Sequence, residues 1–164
     1  MDKPKIKIEY EPIDWILELI GAIGILFLIG IPLYYYNGLP DIIPQLYNLQ
    51  GEADGFGSKG FIWILPSFGL LLYCGLFILN KFPNIFNYPK KITPENARAQ
   101  NKNATRLIRS LNTTIVWTFC YLSYSTIQSA LGYQSGPGKY FILVYLLVIL
   151  GPISIYLFKS ARAK

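Results

Sequence analysis

Four stretches of this chain are long and apolar enough to suggest passage through lipid: Trp15 to Tyr36, Gly60 to Leu79, Leu107 to Leu131, and Tyr140 to Phe158. Polar or turn-rich connections separate them. A membrane-spanning helix takes ~20 mostly apolar residues, whereas a buried core helix or a signal-peptide core takes ~10–14, so run length decides the class. The pattern predicts an all-α integral membrane protein, a four-transmembrane-helix bundle forming a single membrane domain over residues 1–164. An ordered Pro/Gly-rich loop at 37–59 would join the first two helices on the outer side, and a cytoplasmic loop would occupy 80–106. The first stretch is expected to be retained rather than cleaved, because its apolar run is long, no small-x-small site follows it, and Glu9, Glu11 and Asp14 precede it.

Composition agrees with this class: 52% of residues are hydrophobic, 15% are charged, and mean hydropathy is +0.35. Cys74 and Cys120 both fall inside predicted spans, where cysteine acts as a small apolar packing residue. With no histidine and no closely spaced cysteine pair, the usual zinc and haem ligand sets are missing, and no metal or cofactor is expected.

Positive charge near helix ends is retained in the cytoplasm, so the distribution of Lys and Arg sets the orientation. Lys3, Lys5 and Lys7 precede the first span; Lys81, Lys90, Lys91, Arg98, Lys102 and Arg106 lie between the second and third; Lys159, Arg162 and Lys164 follow the fourth. The other two connections hold only Lys59 and Lys139. The count predicts a cytoplasmic-membrane protein with both termini inside, and loops 37–59 and 132–139 outside. The net charge of +6 is therefore a topology signal. Its dispersal over three membrane flanks argues against nucleic-acid binding and for contact with anionic headgroups.

Within the spans, Gly21, Ala22, Gly24 and Gly30 permit close helix approach. Pro32 should kink or weaken the last turn of the first helix, and Pro66 and Pro152 should bend the second and fourth. Glu18 and Arg109 lie near the cytoplasmic boundary, within reach of headgroups; for Glu18 a proton-carrying role is the competing reading. Thr93, Pro94 and Glu95 fit an N-cap, a first-turn proline and an early acid, and neither Pro nor Gly recurs before Gly132. One helix should therefore start near residue 94 and run through the third span. Thr114, Thr118, Tyr121, Ser125 and Gln128 recur on it in steps of four and three and form one polar face, expected to look inward. Interhelical hydrogen bonding is the plain explanation, and the lining of a polar path is the functional alternative.

The outer segment, LPDIIPQLYNLQGEADGFGSK, is dense in turn formers, with Pro40 and Pro44 in its first half and Asp54-Gly55 as a turn pair in its second. An apolar strand or lid is expected at Ile42 to Leu49. Asp41, Glu52 and Asp54 are its only acids; without the alternating spacing of a calcium loop they read as turn formers and solvated surface, with a hard-cation site as the alternative. No Ser/His/Asp set, Walker-type loop or paired carboxylates on a helix face emerges, so no enzyme is predicted.

The same outer segment resembles the signature of bacterial membrane proteins grouped as domain of unknown function 1648, which includes the SdpI-type immunity proteins. The resemblance is carried by Leu39, Pro40, Asp41, Ile43, Pro44, Asn48, Gly51, Asp54, Gly57, Ser58 and Lys59, and extends to the PENARAQNKNATRLI stretch before the third span. Where the family commonly has a His two residues after its Ile-Pro, this chain has Leu46. The resemblance implies a non-enzymatic protein whose loop residues Leu39, Pro40, Asp41, Pro44, Asn48, Gly51, Asp54, Gly57, Ser58 and Lys59 contact an extracytoplasmic peptide or protein in immunity or sensing. Two other expectations stand beside it: an accessory subunit of a larger membrane complex, and a small transporter working as an oligomer.

Overall fold

A computed structural model describes residues 10–162. Lys3, Lys5, Lys7, Glu9 and Lys164, used in the reasoning on topology and on the first span, lie outside the described residues. Helix α1 (Pro12–Tyr35) leads through a 3-10 turn (Tyr36–Gly38) into a β-hairpin, β1 (Ile42–Tyr47) and β2 (Ala53–Ser58). A second 3-10 turn (Lys59–Trp63) opens α2 (Ile64–Leu79), and α3 (Ala97–Ala130) and α4 (Phe141–Arg162) complete the chain.

Local chemistry sets the element ends. Pro12 takes the first position of α1, where its missing amide costs nothing, and the Glu11 amide donates to Asp14 Oδ2 at 2.9 Å. Pro32 lies inside α1, which gives way to the 3-10 turn after Tyr35. Pro66 is only the third residue of α2, where an amide has no helical partner to lose. α3 starts at Ala97 after a cap in which the Thr93 amide donates to Asn96 Oδ1 (2.9 Å) and the Asn96 amide to Thr93 Oγ1 (3.3 Å). It then runs unbroken for 34 residues.

The helices form an up-down-up-down bundle with α3 at its centre, packed against α1, α2 and α4. α1 and α3 run parallel. Side chains on α3 donate to successive α1 carbonyls: Thr113 Oγ1 to Leu17 (3.0 Å), Trp117 Nε1 to Ile20 (3.1 Å) and Cys120 Sγ to Gly24 (3.1 Å). Gly24 makes this approach possible, since a Cβ there would lie 2.7 Å from Val116 Cγ1. On the other side Asn112 Nδ2 donates to the Tyr73 carbonyl of α2 at 3.2 Å. Leu28, Val116 and Cys120 make one buried cluster; Leu39, Ile43, Ile62 and Ile127 make a second beneath the hairpin.

Three helical stretches, Pro12–Gly38, Lys59–Leu79 and Phe141–Arg162, are long and apolar enough to cross a membrane. Together they indicate a bilayer environment. α3 is long enough but not apolar enough, because it carries the polar groups that tie the bundle together. The helices are also joined by a strand pair, so the segment expected to be an outer loop is a β-hairpin.

Candidate functional site

The hairpin pairs β1 and β2 antiparallel, from Ile42 opposite Ser58 to Tyr47 opposite Ala53, with irregularities around Leu46. Its turn is not at Asp54-Gly55 as expected. Asn48 Oδ1 accepts the Gln50 and Glu52 amides, both at 3.0 Å, and the Gly51 amide donates to the Asn48 carbonyl at 2.9 Å. This side-chain mimicry of a backbone turn places the bend at 48–52. Gly51 takes φ +77, a left-handed conformation, and a Cβ there would lie 2.5 Å from the Gly138 carbonyl group. Gly55 and Gly57 instead lie within β2, facing the side chains of Leu46 and Gln45.

Three contacts pin the hairpin to the bundle: Tyr47 Oη to Thr126 Oγ1 of α3 (3.0 Å), the Ala53 amide to the Ser135 carbonyl (3.1 Å), and the buried side chains of Leu39 and Ile43 against Ile62 and Ile127. Asp41 pairs with Lys59 at 3.0 Å, and the Lys59 amide donates to the Asp41 carbonyl at 2.9 Å. Ser58 Oγ accepts the Gly60 amide at 3.4 Å. Of the ten loop residues picked out for partner contact, Leu39, Pro44 and Gly51 are thus buried, and Asn48, Gly57 and Lys59 shape or brace the hairpin. Pro40, Asp41, Asp54 and Ser58 remain exposed. Among the described residues no three His, Cys, Asp or Glu side chains converge as a metal site.

The hairpin also leaves large apolar side chains exposed, with Leu46 over Gly55 on one side and Phe56 beside Pro44 on the other. Ile42, Leu46, Leu49 and Phe56 are 66%, 65%, 80% and 64% exposed, and Glu52 and Asp54 flank them.

At the opposite end, six charges join α1 and α3. Arg106 bonds Asp14 (3.1 Å) and Glu11 (2.9 Å), Lys102 bonds Glu11, and Arg109 bonds Glu18 (3.0 Å) and Asp14 (3.4 Å) while lying 4.3 Å from the Tyr10 ring centroid. Arg109 and Asp14 are 5% and 2% exposed. Glu18 and Arg109 therefore hold each other rather than reaching for headgroups, a correction to the expectation from sequence. Lys102 and Arg106 hold the Glu11 carboxyl below its ordinary range. The signal was present in the spacing: Glu11, Asp14 and Glu18 step by three and four, and Lys102, Arg106 and Arg109 by four and three, so each set lies on one helix face.

The polar face of α3 does not look inward as a unit. Ser125 is buried and accepts Gln134 Nε2 at 2.8 Å, Thr114, Thr118 and Gln128 are half-buried, and Tyr121 is exposed. The buried face carries Asn112, Val116, Cys120, Ser123 and Ile127 instead. Thr114, Thr118 and Tyr121 line a cleft of about 800 Å³ between α3 and α4.

Residues 23–70, from the middle of α1 through the hairpin into α2, match the family model described as domain of unknown function (DUF1648). No curated protein and no solved structure matches the chain.

Proposed function

With residues 23–70 matching the model of the DUF1648 family, we propose that the chain is a four-span, non-enzymatic protein of the bacterial cytoplasmic membrane whose outward hairpin docks a secreted peptide in immunity or sensing. α3 supplies the fourth crossing. It accompanies α1 from Lys102 beside Glu11 to Ile127 beside Tyr35, so a bilayer crossed by one is crossed by the other. Asn112, Thr113, Trp117 and Cys120 donate to carbonyls of α1 and α2, which lowers the cost of taking them into lipid. The excess of Lys and Arg in the arm, the middle connection and the tail supports both termini inside and the hairpin outside.

The observation that carries the docking reading is the exposure of four large apolar side chains, Ile42, Leu46, Leu49 and Phe56, on a hairpin braced against the bundle, with the exposed carboxylates of Glu52 and Asp54 near them in the chain. Exposed apolar side chains accompanied by charge are what a partner surface requires. The acids favour a cationic amphipathic peptide.

The test uses cells lacking the gene, challenged with purified cationic amphipathic peptides from competing strains, and complemented with the wild type or with Leu46→Ser/Phe56→Ser. The wild type should restore resistance, and the double variant should fail at an equal level in the membrane. Equal sensitivity of all three strains to every peptide would refute the proposal.

A further inference from the structure

We infer that the cleft between α3 and α4 holds an acyl chain of an anionic phospholipid, with the lipid phosphate at Lys139. The inference rests on the chain's residence in a bilayer and is independent of what the hairpin binds.

The cleft, about 800 Å³, is walled by Trp117, Thr118 and Tyr121 of α3 and by Phe141, Val144 and Tyr145 of α4. Tyr121 stacks on Phe141 with ring centroids 5.6 Å apart, and Phe141 on Tyr145 at 6.0 Å. The volume falls within the ~300–1,000 Å³ of ligand pockets. Four polar side chains of the wall are committed to backbone carbonyls, Thr113 to Leu17 (3.0 Å), Trp117 to Ile20 (3.1 Å), Thr118 to Thr114 (2.8 Å) and Tyr121 to Pro137 (2.8 Å), and besides Lys139 the other polar side chains of the lining are the hydroxyls of Thr114, Tyr140 and Tyr145. Such a wall presents mostly hydrocarbon to its occupant. A polar solute would give up water there for few replacement hydrogen bonds, whereas an alkyl chain loses nothing.

The rim has the opposite character. Lys139 lines the hairpin end of the cleft, forms no ion pair among the described residues, and lies 5.0 Å from the centroid of the Tyr140 ring. Two residues on, the N-terminus of α4 at Phe141 adds partial positive charge. An apolar slot ending in a cation matches an amphiphile with an anionic head. In the four-span arrangement this end is level with the headgroups of the outer leaflet.

The test keeps Trp117 as the single tryptophan by Trp15→Phe and Trp63→Phe in the full chain, reconstituted into vesicles. Phosphatidylglycerol or phosphatidylcholine with brominated acyl chains is titrated in, and quenching of Trp117 is read. Phosphatidylglycerol should quench at about fivefold lower mole fraction, the effect of one lysine near an anionic headgroup. Lys139→Gln should abolish that preference and leave quenching by phosphatidylcholine unchanged. Val144→Phe, which fills the slot, should weaken quenching by both. Equal quenching by the two lipids, or a preference that survives Lys139→Gln, would overturn the assignment. So would a Trp117 that neither lipid quenches in a chain running as a dimer, since a second copy would then fill the cleft.

Discussion

Replacing Arg109 by methionine keeps most of the side chain's length and removes its charge. The structure indicates where the cost falls. Asp14 retains Arg106, whose guanidinium bonds both of its oxygens at 3.1 Å, but Glu18 loses its 3.0 Å partner and has no other ion pair among the described residues. The Glu18 side chain is only 16% accessible, so water restores little of what Arg109 supplied. Breaking a buried pair by removing one partner costs ~3–5 kcal/mol, and Arg109→Met should fall near the lower end because the rest of the network survives. Removing both charges, by Arg109→Met with Glu18→Leu, leaves no orphan. The double variant should therefore be more stable than Arg109→Met alone, with a coupling of at least ~1 kcal/mol in the double-mutant cycle. Unfolding in mixed micelles by titration with a denaturing detergent, followed by circular dichroism, gives the four free energies. A loss under ~1 kcal/mol for Arg109→Met, or additive single effects, would show that the pair does not join α1 to α3.

Further expectations follow from the same contacts. Gly24→Val should destabilise the bundle by ~1–3 kcal/mol on the same titration, because even a Cβ there would lie 2.7 Å from Val116 Cγ1 of α3. Gly51→Ala places a side chain at φ +77 against Gly138, and should loosen the hairpin tip by at least ~1 kcal/mol, read as faster proteolysis at 48–53 while helix content is unchanged. The Glu11 pKa is lowered in the folded chain from an ordinary 4.5, so its contribution is fully present above that pH and is lost as pH falls through the lower folded value. Glu11→Gln should flatten the decline in thermal stability between neutral pH and acid.

Much of the fold was legible because lipid makes one simple demand, a run of apolar residues, and α1, α2 and α4 meet it openly. α3 meets it indirectly. Its polar residues prompted the idea of an inward stripe at Thr114, Thr118, Tyr121, Ser125 and Gln128, but close parallel packing on α1 selects the small residues Val116, Cys120 and Ser123 for the centre. The Thr side of the helix is left to face α4. Asp14 and Arg109 escaped notice as a pair because 95 residues separate them, and only their matching spacing hinted at a common interface. In the hairpin, Asp54-Gly55 has the better turn composition, yet Asn48 wins the turn by accepting two amides, and the glycines beyond it serve strand packing. The motif was readable as ordered. Its division into bracing and exposed side chains was not, since that depends on where the bundle covers the hairpin.

The crossing of α3 is tested most directly by residues at its two flanks. In a chain with Cys74→Ala and Cys120→Ala, single cysteines would be introduced by Ile85→Cys and Tyr133→Cys, at positions 65% and 77% exposed. A membrane-impermeant maleimide applied to right-side-out vesicles should label the second variant and leave the first unlabelled until the membrane is opened. Equal labelling of the two in sealed vesicles would place both ends of α3 on one side of the bilayer and contradict the four-span arrangement.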